Sequence, residues 1–303
     1  MHVPFGPGRA GFGGAIRLAG TVIALVLICA TTVFGQDAAH NFLMRFPDVH
    51  GSNVVFVAGE DIWIAPVQGG VATRLTIHDG EELYPKFSPD GSLIAFTGQY
   101  DGNSDVYVMD IYGGNIRRVT YHPDADIVIG WDKATNKILF SSTRNSFQRF
   151  TRLFLVNPDG SGLEEVALPE AAEGCFSPDG TKIAYCKVSV DARTWKRYRG
   201  GLAPDIYIYD FATKTEKNIT SSDAIDASPM WIGDKVYFNS DRDRVLNIWA
   251  YDTKTEKLEQ ITKYTTAEYD VRRPGTDGDK IVYELAEICT SWTRRRRSRS
   301  ASR

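Results

Sequence analysis

The chain has 303 residues, 43% hydrophobic and 24% charged, which is ordinary for a globular protein and excludes a collagenous or disordered chain. Its net charge of −3 is uneven: outside the first 35 and last 17 residues, acids outnumber bases by ten. A body that acidic is a poor match for a nucleic-acid partner.

At the N-terminus, Arg9 and Arg17 precede an apolar run from Leu18 to Val33, and Gly35 stands before Gln36-Asp37. This reads as a signal peptide over residues 1–35, cut after Gly35, and directs the chain to the periplasm. The alternative is an uncleaved membrane anchor, for which the run is short. No other membrane contact is expected.

From residue 36 to 286 one unit recurs. Its marker is an apolar triplet ending in an aromatic: Val54-Val55-Phe56, Ile94-Ala95-Phe96, Ile138-Leu139-Phe140, Ile183-Ala184-Tyr185, Val236-Tyr237-Phe238 and Ile281-Val282-Tyr283. The aromatics lie 40, 44, 45, 53 and 45 residues apart, a period that suits four-stranded propeller blades. Two triplets follow an FSPDG turn, Phe87–Gly91 and Phe176–Gly180, in which Pro presets φ and Gly accepts φ > 0. Phe46–Gly51 reads as a looser version of that turn.

After each triplet comes an alternating strand such as Asp105–Asp110 or Asp205–Asp210, then a turn, then an edge strand ending in Leu75-Thr76, Val119-Thr120, Ile219-Thr220 or Ile261-Thr262. The expected fold is therefore all-β, a β-propeller of four-stranded blades with five complete and about half of a sixth. The sixth unit reads as two strands, leaving an open ring with an unpaired edge. Residues 287–303, with six Arg, read as a disordered, non-native tail.

Catalytic motifs are absent from this reading. His40, His50, His78 and His122 are scattered beside turns, and neither GxSxG, HExxH nor CxxC occurs. Asp101-Gly102-Asn103-Ser104-Asp105 has the oxygen spacing of a calcium loop, but Val106 and Tyr112 replace its required Gly and Glu. No metal or cofactor is expected. Cys175 and Cys186 flank one hairpin, which leaves open either packed thiols or a disulfide. The longest loop carries Arg193, Trp195, Lys196, Arg197, Tyr198 and Arg199, a cluster able to hold a peptide carboxylate or to pack on a neighbouring domain.

The pattern from Phe87–Gly91 through Asp105–Asp110 to Arg117–Thr120 resembles the propeller repeats shared by TolB and the tricorn proteases. Asn41–Gly70, Arg193–Gly201 (RTWKRYRGG), Ser228–Trp231 (SPMW) and Asn239–Asp243 (NSDRD) are similar to the first propeller of a bacterial tricorn protease. That resemblance implies the non-catalytic, six-bladed part of a large serine peptidase, engaged in peptide gating or in docking other domains or subunits. The second propeller, PDZ domain and nucleophile of that family would lie beyond this chain, so no catalytic residue carries over. The alternative is a TolB-like periplasmic scaffold for protein partners. TolB-type proteins place an α/β domain before the propeller, and here only a few residues separate the leader from the first strand.

Overall fold

The computed structural model describes residues 2–3, 43–146, 150–190, 196–266, 270–285 and 288–293. The leader expected over 1–35 lies outside these residues except for His2–Val3, whose backbone pairs with Gly70–Val71. No helix among the described residues is long and apolar enough to cross a membrane.

Five antiparallel sheets have four strands each, and every sheet follows chain order from its inner to its outer strand. The first blade comprises Arg45–His50, Asn53–Ala58, Asp61–Pro66 and Thr73–Arg74. The inner strands of the next five blades are Glu82–Phe87, Asp126–Asp132, Glu173–Phe176, Asp226–Ile232 and Val271–Thr276. Each inner strand packs on the next, and Val271–Thr276 returns to Arg45–His50.

The triplets explain the ring. In a strand, successive side chains point to opposite faces. Val54 and Phe56 therefore enter the interface between blades six and one, whereas Val55 enters that between blades one and two. Ile94 and Phe96 join Val55, while Ala95 faces Ile138 and Phe140 of blade three. Leu139 meets Ile183 and Tyr185, Ala184 meets Val236 and Phe238, and Tyr237 meets Ile281 and Tyr283. Val282 completes the circuit against Val54 and Phe56. All six terminal aromatics are at most 1% exposed, and burying each contributes about 2–3 kcal/mol.

Two expectations are corrected here. The ring is closed: Val282 of blade six is buried against Val54 and Phe56, and the inner strand of blade six meets that of blade one. The approach is so close that a Cβ on Gly275 would stand 2.6 Å from the Pro47 carbonyl oxygen. Blade six also has a third strand, Ile288–Thr293, paired with Lys280–Leu285 from Leu285↔Ile288 to Lys280↔Thr293. The tail read from residue 287 thus begins as sheet. Its backbone supplies partners to an edge that would otherwise lack them. Residues 294–303 lie outside the described residues.

Recurring polar residues seal the outer part of blades one, two, four and five. Thr76, Thr120 and Thr262 each accept, at 2.8–3.0 Å, the amide of the second residue of the third strand, Ile62, Val106 and Ile248, and Thr220 accepts at 3.0 Å the amide of Ile206, just before the third strand Tyr207–Asp210. Thr220 and Thr262 donate in turn to Asp205 and Asn247, the residues just before those amides. In the FSPDG turns, Ser88 and Ser177 donate to Asp90 and Asp179 at 2.6 Å, while Gly91 and Gly180 take φ of 73° and 71°. These hydrogen bonds hold the Asp90 carboxyl down at about 2.

Candidate functional site

The Phe46–Gly51 segment does not form an FSPDG turn. Pro47 and Asp48 lie inside the inner strand of blade one, and the hairpin turn is Gly51-Ser52. The same irregularity recurs around the axis. Phe46, Tyr84, Ser228 and Arg273 have φ of 53°, 53°, 56° and 42°, and each precedes a proline (Pro47, Pro85, Pro229, Pro274). Strand pairing slips at each: between Arg45 and Asp48, Leu83 and Lys86, Ala227 and Met230, and Arg272 and Gly275. These are β-bulges, which tolerate proline and re-aim side chains. Positive φ at a non-glycine residue costs about 1–3 kcal/mol, so the surrounding contacts must hold it.

Those contacts come from the preceding blade. Phe87 N–H donates to Asp48 Oδ2 at 2.9 Å, Ser228 N–H to Glu173 Oε2 at 2.9 Å and Phe46 N–H to Glu284 Oε1 at 2.7 Å. Blade three, whose bulge between Val128 and Gly130 has no proline, uses Thr97 Oγ1 as acceptor for Val128 N–H at 2.9 Å. Inner-strand amides that cannot enter the ladder are thus paired across the blade junction.

The bulged strands surround a central cavity of about 270 Å³. Its wall is aromatic at Phe46, Tyr84, Trp131 and Trp231, and charged at Asp48, Glu173, Asp277, Lys86, Lys133 and Arg273. Arg273 is committed to the wall: it donates to Glu284 at 3.1 Å and lies 4.5 Å from the centre of the Phe46 ring. Burial pushes the Asp48 carboxyl up, against the opposing pull of Lys86, the Phe87 amide and Lys133. Lys86 Nζ stands 3.9 Å from Asp48 Oδ1. Lys133, from the first hairpin turn of blade three, reaches over the cavity mouth to the Asp277 carbonyl of blade six at 3.4 Å.

Cys175 and Cys186 are both free thiols. Cys175 pairs in register with Ala184, and Cys186 with Glu173, so the two are offset along the hairpin. Cys175 Sγ faces the cavity and accepts Trp231 N–H at 3.3 Å. Burial pushes both thiols up, away from the thiolate form that reactive cysteines need.

The basic loop occupies the opposite face, where second strands pass to third strands. Arg193 and Trp195 lie outside the described residues. Lys196 pairs with Asp270 at 2.9 Å, and Arg197 donates to the Arg244 carbonyl at 2.6 Å. Arg199 donates to both carboxylate oxygens of Asp241 at 2.9 Å and to its carbonyl at 3.1 Å. Three cations of the cluster, flanking Tyr198, are therefore spent on blades five and six. His78 and His122 accept the amides of Gly80 and Asp124 within their own loops. In the Asp101–Asp105 loop, the Arg118 guanidinium bridges the two end carboxylates at 3.2 and 2.7 Å, where a cation would sit. Among the described residues no group of three His, Cys, Asp or Glu is arranged to hold a metal ion. The cavity lysines escaped the sequence reading. The x-Pro step in four inner strands was the signal that could have marked the channel wall.

Residues 41–290 match the family model described as the tricorn protease N-terminal β-propeller domain. The tricorn protease homolog 1 of Streptomyces coelicolor is 30% identical over 261 residues, covering 83% of this chain and 23% of that protein. The crystal structure of the tricorn protease superposes with a TM-score of 0.75 at 25% identity, covering 83% of this chain and 25% of that one. A TolB homolog from Chlorobium luteolum is 30% identical over 171 residues, 54% of this chain and 36% of that protein. The chain spans about a quarter of the length of the tricorn relatives.

Proposed function

The chain belongs to the tricorn protease N-terminal β-propeller domain family, and from that premise we propose that it is the non-catalytic propeller portion of a tricorn-like serine peptidase, gating or docking peptides for proteolysis. The observation that carries this reading is the central cavity. Aromatic and charged side chains project into it from strained inner strands that the neighbouring blades hold in place. Rigidly aimed polar groups on an apolar wall are what orients a bound ligand. The opposite face, with Lys196, Arg197 and Arg199 tied down, is a firm platform for another domain or subunit.

Fluorescence anisotropy with labelled short peptides tests the reading. The purified chain is expected to bind them saturably and to leave chromogenic peptides uncleaved. Failure to bind any peptide at millimolar concentration would overturn it, as would turnover abolished by a serine-reactive inhibitor.

The leader over 1–35 supports a periplasmic location, tested by N-terminal sequencing of exported protein, which should begin at Gln36. A mature protein retaining residues 1–35 in the membrane fraction would replace export with anchoring. The match to a TolB homolog supports a second reading, a periplasmic scaffold for folded proteins. Binding of folded envelope proteins without any peptide binding would favour it.

A further inference from the structure

Blades one, two and five use the outer side of the third strand in the same way. The residue two places after the triplet aromatic pairs with the first residue of that strand: Ala58 with Asp61, Gly98 with Asp105 and Ser240 with Asn247. The next residue turns its backbone outward. The amides of Ile62, Val106 and Ile248 go to Thr76, Thr120 and Thr262, and their carbonyls accept the amides of Leu75, Val119 and Ile261 at 2.7–2.9 Å. Blade six keeps this register, because Leu285, two places after Tyr283, pairs with Ile288. Cys289 therefore stands where Ile62 stands in blade one. By the alternation of an antiparallel ladder, the backbone groups of Cys289, Ser291 and Thr293 face away from Lys280–Leu285. Among the described residues Ile288–Thr293 is the outer strand of its sheet, with no fourth strand beside it. A row of outward amides and carbonyls is a template for another strand.

We propose that the chain forms a two-fold dimer in which Ile288–Thr293 pairs antiparallel with the same strand of a second copy, centred on Ser291. In that register Ser291 meets its own counterpart and Cys289 meets Thr293, so every outward group of one copy finds one of the other. The flanking charges select this occupant. Ile288–Thr293 carries no charge, Glu287 precedes it and Arg294–Arg297 follow it. A parallel partner would set the two arginine runs side by side. The antiparallel one sends them to opposite ends and puts Arg295 of each copy across from Glu287 of the other. It also lays each basic segment towards a body in which acids outnumber bases by ten. The contact is isologous and uses both edges, so it closes at two copies rather than growing into a fibre.

Sedimentation equilibrium of the purified chain over a range of concentrations tests this. The mass should rise from one copy to two in the micromolar range, as suits a small interface, and the pairing should weaken as salt is raised. Amide exchange at Cys289 and Ser291 should slow as the dimer forms. Ser291→Pro deletes the amide at the two-fold axis from both copies, and because that amide points outward the ladder to Lys280–Leu285 keeps its bonds. This variant should keep the melting profile of the dilute parent and stay monomeric. E287R and R295E, which leave the strand itself untouched, should each weaken the dimer by about threefold or more, and the E287R/R295E exchange should restore it. A parent chain that is monomeric at every concentration would overturn the dimer. If that monomer protects Cys289 and Ser291 at all concentrations, the edge belongs to residues 294–303 of the same chain. A dimer that survives Ser291→Pro would place the contact elsewhere, and a charge exchange that fails to restore pairing would overturn the antiparallel register.

Discussion

Glu284 accepts the backbone amide of Phe46 at 2.7 Å across 238 residues of chain, and this hydrogen bond joins the last blade to the first. Its other oxygen receives Arg273, which stacks on the same Phe46. One carboxylate therefore holds two bulged residues of positive φ, Phe46 and Arg273, on adjacent blades. Glu284→Ala leaves a buried amide without an acceptor and takes a counter-charge from a half-buried guanidinium. The expected loss is about 3 kcal/mol of unfolding free energy. Glu284→Gln, which retains an acceptor oxygen, should lose clearly less. Urea denaturation measures both, and an alanine variant within about 0.5 kcal/mol of the parent would refute ring closure through this contact.

The blade-sealing threonines make a second, repeat-wide prediction. Thr262 accepts Ile248 N–H and donates to Asn247, all three of them buried. Thr262→Val keeps the shape and removes both bonds, leaving the amide desolvated and unpaired. It should cost about 1–3 kcal/mol and speed amide exchange at Ile248. Thr262→Ser, which restores the hydroxyl, should recover most of the loss. Equal stability of the Val and Ser variants would show that the methyl group, not the hydroxyl, matters there.

The blades were legible because a triplet such as Ile94-Ala95-Phe96 alternates faces, and both faces are apolar only when each strand is sandwiched between two neighbours. The closing threonines were legible as a repeated ending, although their bonding to the third strand was not. What escaped was set by long-range geometry. FPD at Phe46–Asp48 looks like FSPDG locally, and only pairing with Asn53–Ala58 shows that it is a bulge inside a strand. Ring closure depends on where Val282 points, 228 residues from Val54, and no local period encodes that. Ile288–Thr293 was missed because Arg294–Arg297 dominates the composition of its surroundings. The basic loop stood out as a charge cluster, yet its partners Asp241 and Asp270 were indistinguishable from surface acids. The cavity lysines, one per strand or turn, carried no signal in sequence at all.

Glu82 gives the fold a pH dependence. It is fully buried at the start of the second blade, accepts Tyr100 Oη at 2.8 Å and Thr76 Oγ1 at 3.0 Å, and lies near Asp61. Burial pushes its carboxyl up to about 7, with the Tyr100 and Thr76 hydrogen bonds pulling the other way and Asp61 adding to the rise. The folded state thus holds this proton more tightly than the unfolded chain. Its contribution is fully present below the ordinary carboxylate range and is lost as pH rises from about 4.5 to about 7. The expected size is on the order of a few kcal/mol. Glu82→Gln mimics the protonated form and should flatten stability across that window. Denaturation curves at pH 5, 6, 7 and 8 compare the two proteins, and parallel profiles would dismiss Glu82 as the source.

Arg199 and Asp241 make the last prediction, about the loop rather than the ring. Asp241 is 2% exposed and also accepts Ile225 N–H at 2.8 Å, so it keeps one partner when Arg199 is removed. Arg199→Ala should therefore cost only about 1–2 kcal/mol globally. Its larger effect should be local, because Arg199 makes three of the hydrogen bonds that pin the 187–206 connection to blade five. Chymotrypsin should cut after Tyr198 markedly faster in the variant, while the blades survive intact. Arg199→Lys should be only a partial rescue, since Nη1 holds the carboxylate while Nη2 holds the Asp241 carbonyl, and one ammonium lacks the planar fork that serves both groups. If cleavage stays as slow as in the parent, the loop is held by its other contacts, and Lys196–Asp270 and Arg197–Arg244 become the pair to remove together.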